Sequence, residues 1–206
     1  MMHQGQQAIA PVGGVEAAIA AMVGMAQARD PFTAGHEERV AVLAAAMARR
    51  LRRPDPEIRI IYLASLMHDA GKLATPIEVL NKPGALSEAE YALVKTHVEA
   101  GWHIARRIAA PQLVAAIVLQ HHERLDGSGY PYGLRAGAIE PGAKILAVAD
   151  VVEAMTASRP HRPSLGLAGA VAELEANKGR LYDAAAVDCC IALLGGQRHG
   201  AAAIRH

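Results

Sequence analysis

The chain is predicted to be all-α, a helical bundle of about seven or eight helices. Three observations carry that prediction. Apolar residues recur at spacings of three and four through most of the 206 residues, and no alternation of period two persists anywhere. Three segments, 60–69 (IIYLASLMHD), 112–122 (QLVAAIVLQHH) and 144–153 (KILAVADVVE), are apolar almost all round, as helices in the middle of a bundle are. Hydrophobic residues make up 52% and charged residues 20%, enough apolar surface for one sizeable core and too little charge for a disordered chain.

Residues 1 to about 12 read as a loose leader, and a first helix then places Val15, Ile19, Met22 and Val23 on one face and ends near Asp30-Pro31. Thr33 is the expected cap of a second helix, whose Val40, Leu43, Met47 and Leu51 form its apolar stripe and whose arginines at 49–53 suit a helix C-terminus; Pro54 stops it. The first apolar segment comes next. Ser87 with Glu90 makes a capping box for a helix expected to run through about Arg107. Residues 124–143 are dense in Gly and Pro and read as a long ordered loop between the second and third apolar segments. Helices at roughly 165–177 and 184–194 complete the bundle. The expected organisation is a leader and first helix at 1–28, one catalytic domain at 29–195 and a flexible tail at 196–206.

Composition excludes several classes. Twenty-one Lys plus Arg against 20 Asp plus Glu leave a formal charge of +1, which argues against a DNA or RNA duplex, or an acidic membrane, as a generic partner. Cys189 and Cys190 are adjacent, so they cannot staple distant segments, and a reducing cytoplasm is the expected setting. The N-terminus lacks the basic start of a secretory signal, and no apolar run is long enough for a membrane span. Aromatic residues are only 3%, so platforms for stacking bases are scarce outside Trp102, Tyr130 and Tyr132. Ten histidines stand out against that background.

Burying an uncompensated carboxylate costs several kcal/mol, so Asp69 and Asp150 in apolar helices need a cation or a full set of donors. Taken singly, each polar residue reads as a hydrogen-bonded core group. His36, His68, Asp69, His97, His121, His122 and Asp150 together exceed what one tetrahedral ion could use, which points to a dinuclear centre. Asp69 is the expected bridge between two ions. Such a pair acidifies a bridging water and neutralises phosphoryl charge, which predicts phosphohydrolase chemistry.

At HDAGK (residues 68–72) and HHERLDGSGYP (121–131) the sequence resembles the HD-GYP family, a subgroup of the HD-domain metal-dependent phosphohydrolases. The resemblance runs from about Arg29 to about Leu194 and includes RDPFTAGH, NKPGALSEAE, KTHVEAGW, AKILAVADVVEAMTASRPHRP and LYDAAAVD. It implies a helical bundle with a binuclear or trinuclear iron or manganese site that hydrolyses cyclic di-GMP through a bridging hydroxide, first to linear pGpG and in some members on to GMP. It implies one metal on His36, His68, Asp69 and Asp150 and another on Asp69, His97, His121 and His122. Lys72 would act beside Asp69 in catalysis by neutralising a phosphate oxygen, and the substrate-binding set would comprise Lys72, Arg124, Asp126, Gly127, Gly129, Tyr130, Pro131, Arg159 and Arg162. Members with a third metal carry a glutamate where this chain has Phe32, so two ions are expected. Imidazole-plus-carboxylate sites also accept nickel or zinc, and magnesium is a further candidate. Ser158 and His161 replace the Asp and Tyr frequent in the family.

No complete sensor, receiver or PAS module is legible before residue 29, so the regulatory input usual in the family is expected to be absent, supplied by a partner such as a GGDEF-domain protein or a separate sensor or receiver protein, or carried outside these residues. The oligomeric state stays open, a dimer included. Two other functions stay open as well. One is a non-catalytic module that binds a cyclic dinucleotide or a GGDEF partner; the other is an HD phosphohydrolase acting on a different nucleotide.

Overall fold

The computed structural model describes residues 13–29, 35–157 and 164–202, with side chains through residue 195. Phe32, Thr33, Ser158, Arg159, His161 and Arg162 lie outside the described residues. Ten α-helical segments are present among those described: α1 Gly14–Arg29, α2 His36–Arg50, α3 Asp55–Met67, α4 Ile77–Leu80, α5 Glu88–Lys95, α6 His97–Arg107, α7 Gln112–Gln120, α8 Pro141–Thr156, α9 Gly166–Asn177 and α10 Ala184–Ala202. A 3₁₀ turn, Ala70–Ala74, succeeds α3. No strand occurs among these residues, only the isolated bridges Asp126–Arg135 and Lys178–Tyr182.

The count exceeds the expected seven or eight for local reasons. The helix anticipated from 88 to 107 is divided at Thr96, where the hydroxyl bonds the Leu93 carbonyl at 2.7 Å and the Thr96 amide takes the same oxygen at 3.1 Å. That three-residue closure tightens the chain and ends α5. α4 is a single turn after Pro76. At the other end α10 continues to Ala202, past the stop expected at 194. Glycines at 195 and 196 cost a helix about 1 kcal/mol each but do not terminate it.

Helices α2, α3, α7 and α8 supply the centre. Val40, Met47, Ile61, Met67, Ile117, Val118, Leu146 and Val148 are buried there, and each large side chain of this kind contributes about 1.5–3 kcal/mol relative to exposure. α1, grouped in the sequence with the leader, contributes Ile19, Met22 and Val23 to the same core. Cys189 and Cys190 are free and buried.

Two boundaries set where the chain turns between its central helices. α2 ends where Arg52 adopts φ 55° and its amide reaches the Arg49 carbonyl, ahead of Pro54. α3 ends at His68 because Asp69 leaves helical geometry, and the 3₁₀ turn then runs hard against α6. Gly71 permits that approach: a Cβ there would lie 1.9 Å from the His97 carbonyl oxygen and 2.6 Å from the Gly101 amide. Only glycine lets these two backbones touch.

Candidate metal centre

Six of the seven predicted ligands sit at helix ends that meet at one end of the bundle. His36 opens α2, His68 and Asp69 close α3, His97 opens α6, and His121 and His122 close α7. Asp150 comes from the interior of α8. Helix ends suit the task because a side chain there can point past its own backbone into the space between neighbours.

The structure brings all seven together. His36 Nε2 lies 3.3 Å from Asp150 Oδ1 and 3.9 Å from Asp69 Oδ2. His68 Nε2 lies 3.6 Å from Asp69 Oδ2 and 3.7 Å from Asp150 Oδ1. On the other side, His97 Nε2 lies 3.5 Å from Asp69 Oδ1, and the His97 ring centroid is 5.4 Å from that of His121 and 5.1 Å from that of His122. Two groups result, His36–His68–Asp69 and His97–His121–His122, each with ligand atoms within 4.8 Å of one another. Asp69 presents Oδ2 to the first and Oδ1 to the second.

Three rings are aimed by one repeated device. His68 Nδ1 bonds the Ser65 carbonyl at 2.7 Å, His97 Nδ1 the Val94 carbonyl at 2.8 Å and His121 Nδ1 the Val118 carbonyl at 2.7 Å. A carbonyl only accepts, so each Nδ1 carries the hydrogen, and the Nε2 of a neutral ring then keeps a lone pair. All three Nε2 atoms are buried with no hydrogen-bond partner among the described residues. A buried polar atom without a partner costs about 1–3 kcal/mol, and three such atoms beside two carboxylates fit a divalent cation as the missing partner.

The electrostatics divide the same way. Burial pushes the His122 imidazole down to about 3 and lowers His121 and His97 as well, so these rings are neutral and free to donate lone pairs. Burial would also lower His36, but the carboxylates of Asp150 and Glu153 outweigh it and push that ring up to about 10. Against their own burial, Asp69 is held well below the usual carboxylate range by Lys72, His68, His97 and His36, and Asp150 by His36 and His68. Positive charge is what this half of the cluster demands.

Lys72 lies in the 3₁₀ turn and donates to Asp69 Oδ2 at 2.5 Å. The loop residues divide by task. Arg124 donates to the Glu123 carbonyl at 2.9 Å and lies over the Tyr182 ring, while Asp126 accepts from the Ser128 amide and hydroxyl. Their polar groups therefore hold the loop. Gly127 has φ 84°, and a Cβ on Gly129 would lie 2.4 Å from the Arg124 amide. Tyr130, joined to Pro131 by a cis peptide, stacks on His122 with centroids 4.7 Å apart and covers that side of the cluster. His103 lies against Trp102, away from these residues.

Three buried carboxylates escaped the sequence reading. Glu153 bonds His36 Nδ1 and accepts from Arg39 Nε at 2.6 Å; its i, i+3 spacing from Asp150 on one helix face was the available signal. Glu123 accepts from the Tyr132 and Leu134 amides at 2.8 and 2.9 Å and pins the loop. Glu37 lines a cavity of about 30 Å³ with Arg29, Asp69 and Lys72; its Oε2 has no hydrogen-bond partner among the described residues, and burial pushes its carboxyl up.

The HD domain family model matches residues 21–186. A relative from Xanthomonas campestris, named cyclic di-GMP phosphodiesterase response regulator RpfG, is 41% identical over 165 residues, covering 79% of this chain and 44% of its own. The 3'3'-cGAMP-specific phosphodiesterase 1 of Vibrio cholerae is 40% identical over 146 residues, covering 71% of this chain and 34% of its own. The chain thus spans less than half the length of either relative. The solved structure of Bd1817, described as a HDG"Y"P protein from Bdellovibrio bacteriovorus, superposes with a TM-score of 0.67 over 88% of this chain and 62% of that one; at 23% identity it speaks for the fold alone.

Proposed function

Because the chain belongs to the HD domain family, we propose that it is a metal-dependent phosphodiesterase that opens a cyclic dinucleotide, with cyclic di-GMP as substrate and linear pGpG as product. The observation that carries this reading is a set of three buried Nε2 atoms without a hydrogen-bond partner among the described residues: those of His68 and His97 face the two oxygens of Asp69, that of His68 also faces Asp150, and that of His121 belongs to the His97–His121–His122 group. His36, His68, Asp69 and Asp150 would hold one ion and Asp69, His97, His121 and His122 the other. The nitrogen and oxygen donors suit iron or manganese and also admit zinc or nickel.

Two divalent cations held there supply acidified water and neutralise charge on the phosphoryl oxygens. The protein's own groups do the rest. Asp69 fixes the spacing of the two halves because one carboxylate serves both. Lys72, partly exposed beside Asp69, can turn its ammonium to a phosphate oxygen and hold the proton that the leaving 3'-oxygen requires. The buried imidazoles and the Tyr130 ring keep bulk water from the cluster, which strengthens each charge interaction inside it. Glu123 and Glu153 orient the loop and His36 without reaching the reacting atoms. Arg159 and Arg162, with their forked donors, are proposed as further phosphate or guanine contacts.

The Xanthomonas and Vibrio relatives differ in the cyclic dinucleotide that their names carry, so both substrates belong in the test. Protein prepared anaerobically with iron or manganese is assayed for metal per chain, and products from cyclic di-GMP and 3'3'-cGAMP are separated by chromatography. Two ions per chain and formation of pGpG support the proposal. Metal-loaded protein that binds the dinucleotide without turnover supports the binding module instead, and cleavage restricted to 3'3'-cGAMP reassigns the substrate.

A further inference from the structure

Helix α5 lies just outside the cluster and carries chemistry that the centre does not use. None of its residues is buried; it is anchored by its capping box, in which the Ser87 hydroxyl accepts from the Glu90 amide and the Glu90 carboxylate from the Ser87 amide, and by Lys82, which bonds Glu90 at 2.7 Å. Tyr91 on this helix is 50% exposed, although the chain is poor in aromatic residues. Trp102, by contrast, is engaged by His103 and Arg106.

Lys95, one turn after Tyr91, has its ammonium 5.0 Å from the Tyr91 ring centre and 5.8 Å from that of Tyr130. It forms no ion pair among the described residues. The Tyr130 ring in turn stacks on His122. A continuous line of contacts therefore runs outward from the cluster through His122, Tyr130 and Lys95 to Tyr91.

We propose that Tyr91 and Lys95 form a subsite for the half of a cyclic dinucleotide that is not being cleaved. Tyr91 stacks on its purine base, and Lys95 pairs with its phosphodiester. The geometry matches the ligand's chemistry: two phosphates and two bases share one ring, so a phosphate held at the cluster carries the second phosphate and its base outward. A cation on an aromatic shelf, with the Tyr130 ring between it and His122, is what that second half would meet. Exposed aromatic faces accept any base, and lysine supplies a point charge to a phosphate. The inference rests on the cyclic-dinucleotide reading and adds the residues that set affinity within it.

The test compares Tyr91→Ala, Tyr91→Phe, Lys95→Ala and Lys95→Arg in the metal-loaded full chain, with cyclic di-GMP and with bis(p-nitrophenyl) phosphate, which lacks the second phosphate and its base. Loss of stacking corresponds to a rise in KM for cyclic di-GMP of about five- to a hundredfold in Tyr91→Ala, with kcat, bound metal and turnover of the small diester unchanged. Tyr91→Phe retains the wild-type KM. Lys95→Ala raises KM and flattens its dependence on salt, and Lys95→Arg restores both. Wild-type KM in Tyr91→Ala and Lys95→Ala overturns the subsite alone, as does equal loss on both substrates. A wild-type chain that loads two ions and cleaves the small diester but neither binds nor cleaves a cyclic dinucleotide overturns the substrate reading, and the subsite with it.

Discussion

Glu153 bonds the Nδ1 edge of His36, and the opposite edge of that ring faces Asp150 at 3.3 Å. Both carboxylates come from α8, so a single helix grips His36 on its two nitrogens. Removing an outer partner of this kind typically costs about 10–100-fold in metal affinity. Glu153→Ala is expected to show such a loss, read by competition with a chelator, while far-ultraviolet circular dichroism stays unchanged. Wild-type affinity would exclude the positioning role.

Asp69 serves both halves of the cluster, so its loss cannot be confined to one ion. Asp69→Ala is expected to bring bound metal and turnover to background together, measured by elemental analysis and product chromatography on the same preparation. Full activity in that variant would remove the bridging assignment.

His36 predicts how metal uptake depends on pH. Asp150 and Glu153 from α8 and Asp69 from the end of α3 raise it against burial, with His68 beside it, to about 10 in the metal-free protein. Metal at Nε2 requires the neutral ring, so binding below that pH displaces a proton. Affinity should therefore rise with pH, by up to about tenfold per unit for one displaced proton, and level off above about 10. Calorimetry in buffers of different ionisation enthalpy measures the release; no proton release at pH 7 would contradict the assignment.

Gly71→Ala places a methyl group on the His97 carbonyl, a contact with backbone that no rotamer change relieves. Overpacking of this kind costs about 1–3 kcal/mol. Urea unfolding should show that loss, and metal binding should weaken with it because His97 is carried on the displaced segment. An unchanged midpoint would mean that α6 can retreat without cost.

Much of the fold and most of the candidate site are legible in the residues alone. His68, Asp69, His121, His122 and Asp150 stand in or beside apolar helices, where an unpartnered charge is too costly to be accidental, and that anomaly marks them. The HDAGK and GYP stretches add the order in which they meet. Glu37 and Glu123 are not legible, because each follows a more conspicuous histidine and a glutamate near a helix end is ordinarily solvated, whereas Glu153 is marked only by its spacing from Asp150. The division at Thr96 is hidden for another reason: residues 88–107 are helical in pattern throughout, and the break comes from a single hydroxyl bonding its own backbone. Tyr91 escapes notice because an aromatic at helical spacing ordinarily belongs to the core.

The Nδ1 bonds of His68, His97 and His121 all end on carbonyls three residues earlier in the chain. Each ring is therefore aimed by its own stretch of backbone, whichever ion arrives or none at all. A receptacle shaped in advance does little to discriminate among cations of similar size and appetite for nitrogen. The identity of the working metal would then follow from what the cell delivers, and the same polypeptide could run fast or slow according to its mineral diet.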